Sequence, residues 1–388
     1  MKCFGYRRPD GRVGIRNHVL ILPTVGCANE TCRIAAGLVE GAVSLVNQNG
    51  CGEVAGNTRI TRTVLSGLAA NPNAYGTVLV GLGCELNTIS AMAEAIGAQT
   101  TKRLETLCIQ EDGGTVNTIR KAVRIAQEMV LEASSLLQEE FDPSELMLGV
   151  ECGGSDATSG LVANPVMGYV SDRIVELGGT SMFSETPELI GAEHLLAKRA
   201  ATPEVGRQVL DICARREKQL STVGEDLRSG QPSPGNRAGG ITTLEEKSLG
   251  CIHKGGTKPL MEVVEYAQRP RRKGLIFMDT PGYDPLSVTA KAAAGCQLIV
   301  FTTGRGNPIG NPIVPVLKVT ANKDTFEKMN DNMDMDFSPV LDGERTIEQM
   351  GEQVLAEIVR ITRGRKTKAE ILGFGFTETV MSRMCDYV

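Results

Sequence analysis

The stretch "ELMLGVECGGSDATSGLVANPVMGYVSDRIVELGGTSMFSETPE" (Glu145 to Glu188) carries the pattern that decides the fold. It opens on an apolar run, "ELMLGVE", and closes on another, "TSMFSE". Short runs with little polar alternation are expected of strands covered on both faces. Between them "GLVANPVMGYVSDRIVELG" places apolar residues three and four apart, the spacing of one helix face. Strand, helix and strand in that order read as a βαβ unit with parallel strands.

The same rhythm extends both ways along the chain. Further strand candidates are "HVLILPT" (from His18), "TVLVGL" (from Thr77), "GLIFMDT" (from Gly274), "QLIVFTT" (from Gln297) and "VPVLKV" (from Val314). Helical patterns lie between them, among them "TISAMAEAIGAQ", "TVNTIRKAVRIAQEMVLEASSLLQEEF" and "ERTIEQMGEQVLAEIVRITRG". The expected class is α/β, with Rossmann-like parallel sheets flanked by helices in two lobes. The Gly-, Pro- and Ser-rich segment Ser221 to Thr243 reads as a linker or long active-site loop. It suggests an N-terminal α/β lobe over residues 1–225 and a C-terminal α/β lobe with a parallel sheet over 226–388.

Composition narrows the function classes. The 388 residues carry a formal charge of −5, no Trp and 4% aromatics. Neither a nucleic acid nor an anionic membrane is an expected partner. No apolar run approaches the ~20 residues of a membrane span, and the start lacks the apolar region of a signal peptide. Eleven cysteines, odd in number and scattered, do not make a secreted disulfide framework. A reducing cytoplasm is the expected location, and most thiols are expected to act as small buried hydrophobes.

Each strong strand runs at once into a polar, glycine-containing corner: "VGCANETC", "GCELN", "ECGGSDATSG", "SETPE", "DTPGYDP" and "TTGRGNPIGNP". In open α/β sheets ligands bind beyond the carboxyl ends of the strands, so these corners are expected to share a crevice, or two if the lobes are separate. In "ECGGSD", Glu151 and Cys152 close a strand, and Gly153 and Gly154 let the main chain approach a ligand. Ser155 and Asp156 suit a helix cap, but capping needs only one of them and leaves Glu151 without a role. Arg305 sits between glycines, placed to present a guanidinium to a carboxylate or phosphate. Asp334 and Asp336 in "DNMDMD" point the same way if extended, which suits a divalent cation; a solvated charged face is the plainer reading. Histidine is scarce, and His253 lies with Lys247, Lys254 and Lys258 in the densest acid–base cluster of the chain, or on an exposed charged helix end.

Taken together, these corners resemble the altronate and galactarate dehydratase family, in its large catalytic region. The resemblance rests on "GYRRPDGRVGIRN", "NGCGE", "VLVGLGCE", "ECGGSDATSGLVANPVMGYVSD", "GGITTLEEKSLGCIHKGGTKPL", "MDTPGYDPLSVTAKAAAGCQLIVFTTGRGNPIGNPIVPVLKVTAN" and "MNDNMDMD". It implies a metal-dependent lyase that removes water from a sugar acid to give a 2-keto-3-deoxy product. A sister activity, (2R)-sulfolactate sulfo-lyase, releases sulfite and is the alternative; a non-catalytic sugar-acid binding module is a second. The cofactor implied is a divalent metal, Fe2+ first, with Mn2+ or Mg2+ as substitutes. A separate small subunit is expected to supply the family's N-terminal module, and a homo-oligomer is expected. Asn47 and Gln48 stand where some dehydratases carry a histidine, which gives the sulfo-lyase branch more room.

The chemistry sets the parts required. Removing a proton α to a carboxylate needs a cation to hold that carboxylate and spread the developing charge. Cys51, Cys84, Glu85 and Cys152 are the expected metal ligands with Glu151 beside them, and Asp334 and Asp336 are a second pair. Lys247 or His253 is the expected base, the lysine only if burial lowers its pKa. Arg16, Arg305, Ser155 and Asp156 are expected to bind the substrate.

Overall fold

In the computed structural model, residues 1–374 are described, and the quoted stretch forms the expected βαβ unit. The chain opens with β1 (Cys3–Arg7) and β2 (Val13–Gly14), an antiparallel pair. Next, β3 (His18–Pro23), β4 (Ala42–Ser44), β5 (Ala74–Gly81) and β6 (Arg103–Cys108) build a parallel sheet ordered β4-β3-β5-β6. β7 (Glu139–Phe141) then returns to pair antiparallel with β1. A seven-stranded parallel sheet follows. Its strands are β8 (Met147–Cys152), β9 (Thr180–Ser184), β10 (Leu260–Val264), β11 (Gly274–Met278), β12 (Leu298–Thr302), β13 (Val316–Thr320) and β14 (Met335–Asp336), in the order β10-β11-β9-β8-β12-β13-β14.

The break between sheets falls between β6 and β8. The segment expected to divide two lobes runs instead between β9 and β10 of one sheet, so a cut at 225/226 would pass through that sheet. It folds into the short helices Leu227–Gly230 and Pro234–Ala238, and Asn236 Nδ2 donates to Ser155 O at 2.9 Å. The physical reason is that Gly, Pro and Ser mark a break in regular structure, whichever sheet the flanking strands join.

Side-chain alternation gives the large sheet two dry faces. Leu148, Val150, Phe183 and Phe277 point into one core, which includes Val166 and Val170 from the helix Asn164–Glu176. Met147, Met182, Ile276 and Ile299 point into another, which also contains Leu20, Leu22 and Leu79 of the four-stranded sheet. Two helices fill the space between the sheets, Ala55–Ala70 and Asp284–Ala294. Asn71 Nδ2 donates to the carbonyls of Ala292 and Cys296, and Asn73 Nδ2 to those of Gln297 and Ile313, so β5 and β12 begin at one seam. Among the described residues no helix is long and apolar enough to cross a membrane.

Candidate functional site

At the carboxyl edge of the large sheet, alternation along β8 sends consecutive side chains to opposite faces. Glu151 turns toward the helix Asp284–Ala294, and Cys152 toward the helices Asn164–Glu176 and Leu244–Ile252. Glu151 pairs with Lys291 Nζ, and both are 0% exposed. Ser287 Oγ donates to Glu151 Oε2 at 2.9 Å, and Ser184 at the end of β9 joins the same group. Gly149 makes room for the lysine stem, since a Cβ there would sit 3.0 Å from Lys291 Cδ.

Glu185, the residue after β9, adopts φ +81°, a left-handed conformation that costs about 1–3 kcal/mol outside glycine. That backbone turns its carboxylate inward. Glu185 Oε2 accepts from Lys254 Nζ at 2.5 Å and from the Cys152 amide at 3.4 Å. Glu188 Oε2 lies 3.2 Å from Lys254 Nζ, and Glu188 Oε1 lies 3.1 Å from Lys247 Nζ. On the Cys152 face, Sγ is 3.1 Å from Ser155 Oγ and accepts from Asn164 Nδ2 at 3.6 Å.

Four of the six corners converge here, those after β8, β9, β11 and β12; "VGCANETC" and "GCELN" end strands of the other sheet. A Cβ on Gly153 would overlap the Asp284 carboxylate, and Asn307 Nδ2 donates to Asp284 Oδ2 at 2.7 Å. The Arg305 amide donates to Gly154 O at 2.9 Å. Beside them a cavity of about 280 Å³ is lined by Ser155, Asn164, Lys247, Cys251 and His253.

The charges here do not cancel. Three ammonium groups (Lys247, Lys254, Lys291) face four carboxyls (Glu151, Glu185, Glu188, Asp284) and the Cys152 thiol. With all ionised, two negative charges remain, which two protons or one divalent cation would balance. The titration pattern reflects this. Burial first, then Glu151 and Glu188, push Glu185 well up; burial and Glu151 push Asp284 up to about 8. Burial also opposes ionisation of Glu188, but Lys247 and Lys254 outweigh it and hold it down to about 2. A hydrogen bond with Cys251 brings Cys152 down to about 6 against the effect of burial, and Cys251 as its partner rises well above the usual thiol range.

Two groups of donors close to within 4.8 Å of one another among the described residues: Glu151, Glu185 and Asp284, and Cys152, Glu188 and Cys251. Glu151 Oε1 and Glu185 Oε1 are buried without a hydrogen-bond partner. Such orphaned acceptors are costly unless a cation completes them, so both the donor set and the charge balance fit a divalent metal. Hard carboxylates suit Mg2+ or Mn2+, and the mixed thiol–carboxylate set suits iron.

Of the residues singled out in the sequence, Glu151, Cys152, Ser155, Lys247 and His253 meet at this edge, His253 being exposed on the cavity wall. Burial alone would lower Lys247, but Glu188 reverses it and the net shift is upward, so this lysine stays charged. Asp156 is committed to Thr158 Oγ1 at 2.6 Å, the Ser159 amide at 3.1 Å and Asn322 Nδ2 at 2.8 Å, a capping role. Arg305 is exposed beside Gly154.

Other candidates lie elsewhere. All five donors of Arg16 are taken, by Glu370 at 2.6 and 2.9 Å and by the carbonyls of Ile15, Ile361 and Arg365. Asp334 accepts from the amides of Lys318 and Lys368, and Asp336 caps Ser338. Cys51, Cys84 and Glu85 belong to the four-stranded sheet and to neither donor group; Glu85 accepts from Thr24 Oγ1 and the Gly83 amide, both at 2.7 Å.

The sequence reading missed Glu185, Glu188, Cys251, Lys254, Asp284 and Lys291 as members of the site. Usable signals existed: acids directly after an apolar run in "SETPE", and one lysine in the small-residue helix "SVTAKAAAG".

Comparison with known proteins places the chain in a family. Residues 143–385 match the model for D-galactarate/altronate dehydratase, C-terminal, and residues 5–134 that for D-galactarate dehydratase/altronate hydrolase, second domain. Altronate dehydratase of Bacillus subtilis is 38% identical over 335 residues, 83% of this chain and 66% of that protein. The (2R)-sulfolactate sulfo-lyase subunit beta of Chromohalobacter salexigens is 38% identical over 382 residues, 98% of this chain and 97% of that protein. Altronate dehydratase of Escherichia coli is 35% identical over 373 residues, 93% and 74% of the two chains. The chain therefore belongs to the D-galactarate/altronate dehydratase family.

Proposed function

We propose that this chain is a metal-dependent lyase that expels water from the β-carbon of a small sugar acid to give a 2-keto-3-deoxy product. The observation that carries the reading is the trio Glu151, Glu185 and Asp284, the first two buried and each with one unpartnered carboxylate oxygen. These residues would hold a divalent cation, Fe2+ by family resemblance, whose charge would stabilise a developing enediolate. Lys247, kept protonated by Glu188, presents a fixed positive charge to the substrate carboxylate from the cavity wall. Arg305, exposed beside Gly154, is the candidate for the distal end of the acid. His253 is the base for the α-proton, being the imidazole that faces the cavity. Ser155 and Asn164 supply hydrogen bonds to the hydroxyls. The similarity to a sulfo-lyase subunit over 98% of the chain favours sulfite release as a second reading. The name of that relative, a subunit beta, also supports a partner subunit, and a reducing cytoplasm suits the thiols.

The test is anaerobic turnover with Fe2+ of altronate, galactarate and (2R)-sulfolactate, with and without a small partner subunit, followed by keto-acid and sulfite assays. We expect keto acid from at least one substrate. Asp284→Asn should lower bound metal and reduce turnover at least ~100-fold, the scale of a lost transition-state contact. Sulfite with no dehydration would select the second reading. No product from any substrate would leave only the binding module.

A further inference from the structure

We propose that Cys27, Cys51 and Cys84 hold an iron–sulfur cluster at the carboxyl edge of the four-stranded sheet, separate from the Glu151 site. Seven of the ten described cysteines are buried, as is usual for this residue. The three exposed ones are these three. Each follows a glycine in the loop that leaves a strand: Gly26-Cys27 after β3, Gly50-Cys51 after β4 and Gly83-Cys84 after β5. In the sheet these strands are consecutive, β4-β3-β5. One thiol is thus delivered by each of three adjacent strand ends.

The loops that carry them are tied together. The Gly26 amide donates to Asn49 O at 3.0 Å, the Leu86 amide to Gly50 O at 3.0 Å, and Thr24 Oγ1 to Glu85 at 2.7 Å. Gly50, at φ +106°, closes onto the first loop, since a Cβ there would overlap Thr24 O and crowd Val25. The helices Asn29–Gly37, Ala55–Ala70 and Ile89–Gly97 all start just beyond these loops, and their positive ends favour an anionic group.

The ligand class follows from the donor type, three thiols and no carboxylate, together with their exclusion from any single-ion group. The three thiols are in no donor group that closes within 4.8 Å, as donors sharing one ion would. A sulfide-bridged cubane spans thiolates that a single ion does not. Three cysteines on a [4Fe–4S] unit leave one iron for a non-protein ligand. On assembly each thiol loses one proton and forms one Fe–S bond. Equal parts of ferrous and ferric iron with sulfide supply the cluster without net electron transfer.

This inference does not rest on the elimination chemistry, and its readout needs no substrate. The full chain is reconstituted anaerobically with ferrous iron, ferric iron and sulfide, desalted, and assayed for iron, acid-labile sulfide and visible absorbance. About four of each per chain is expected. C27S, C51S and C84S should each lose more than half of both, while C32S (a buried neighbour) and C152S keep them. On the unaltered chain, alkylation followed by peptide mass spectrometry should show Cys27, Cys51 and Cys84 protected only after reconstitution. Iron without sulfide, loss in C152S instead, or alkylation of all three thiols in the reconstituted chain would overturn the assignment.

Discussion

Lys291 and Glu151 form the ion pair whose loss is easiest to read. Both side chains are 0% exposed, and two serines share the ammonium group. A buried pair adds little over a well-packed apolar pair, but removing one partner strands the other charge at about 3–5 kcal/mol. Lys291→Met should therefore destabilise the chain by about that amount, measured by urea unfolding. Lys291→Met with Glu151→Gln should recover much of the loss, because no lone charge remains. Equal destabilisation in the single and double variants would show that the cost is packing alone.

The helices between the two sheets pack tightly at Gly67. A Cβ there would overlap the Ala293 carbonyl oxygen, so the pair depends on a residue without a side chain. Gly67→Val should force the helices apart and cost roughly 1–3 kcal/mol, the range for overpacked cores; a drop in thermal midpoint with catalysis retained is the expected result. His18, which opens β3, gives this element a pH dependence. Burial, then the Arg16 charge, hold its pKa down to about 4 from the ordinary 6.5. The folded imidazole stays neutral where the unfolded one takes a proton. Its stability contribution is thus complete above about pH 6.5 and disappears as pH falls through about 4. His18→Gln should show a smaller loss of urea midpoint from pH 7 to pH 5 than the unaltered chain. Parallel curves would exclude His18 as the source.

Across the whole molecule, Arg16 ties one end of the described chain to the other. Its guanidinium grips Glu370 and three carbonyls, two of them at Ile361 and Arg365. Arg16→Ala leaves the largely buried Glu370 without its cation, so a loss of about 3–5 kcal/mol is expected. KM for the proposed acid substrate should stay unchanged, measured below the unfolding transition. A large rise in KM with stability intact would return Arg16 to the substrate site.

The sequence alone determined the α/β class, because unbroken apolar runs and three-to-four spacing follow from burial on two sheet faces and on one helix face. It also determined that Glu151 and Cys152 sit at a strand end beside glycines. It did not reveal that Ser221 to Thr243 lies within one sheet, since a break in regular structure carries no information about strand order. Nor did it separate Cys84 and Glu85 from Cys152, because corners of similar composition end strands in both sheets. The acids of "SETPE" and the lone lysine of "SVTAKAAAG" were visible as odd residues, but only the tertiary structure joined Glu185, Glu188, Lys254, Asp284 and Lys291 into one charged group at the carboxyl edge. That step depends on which strands become neighbours, and local pattern is silent about partners brought together from more than a hundred residues apart, as Glu151 and Lys291 are.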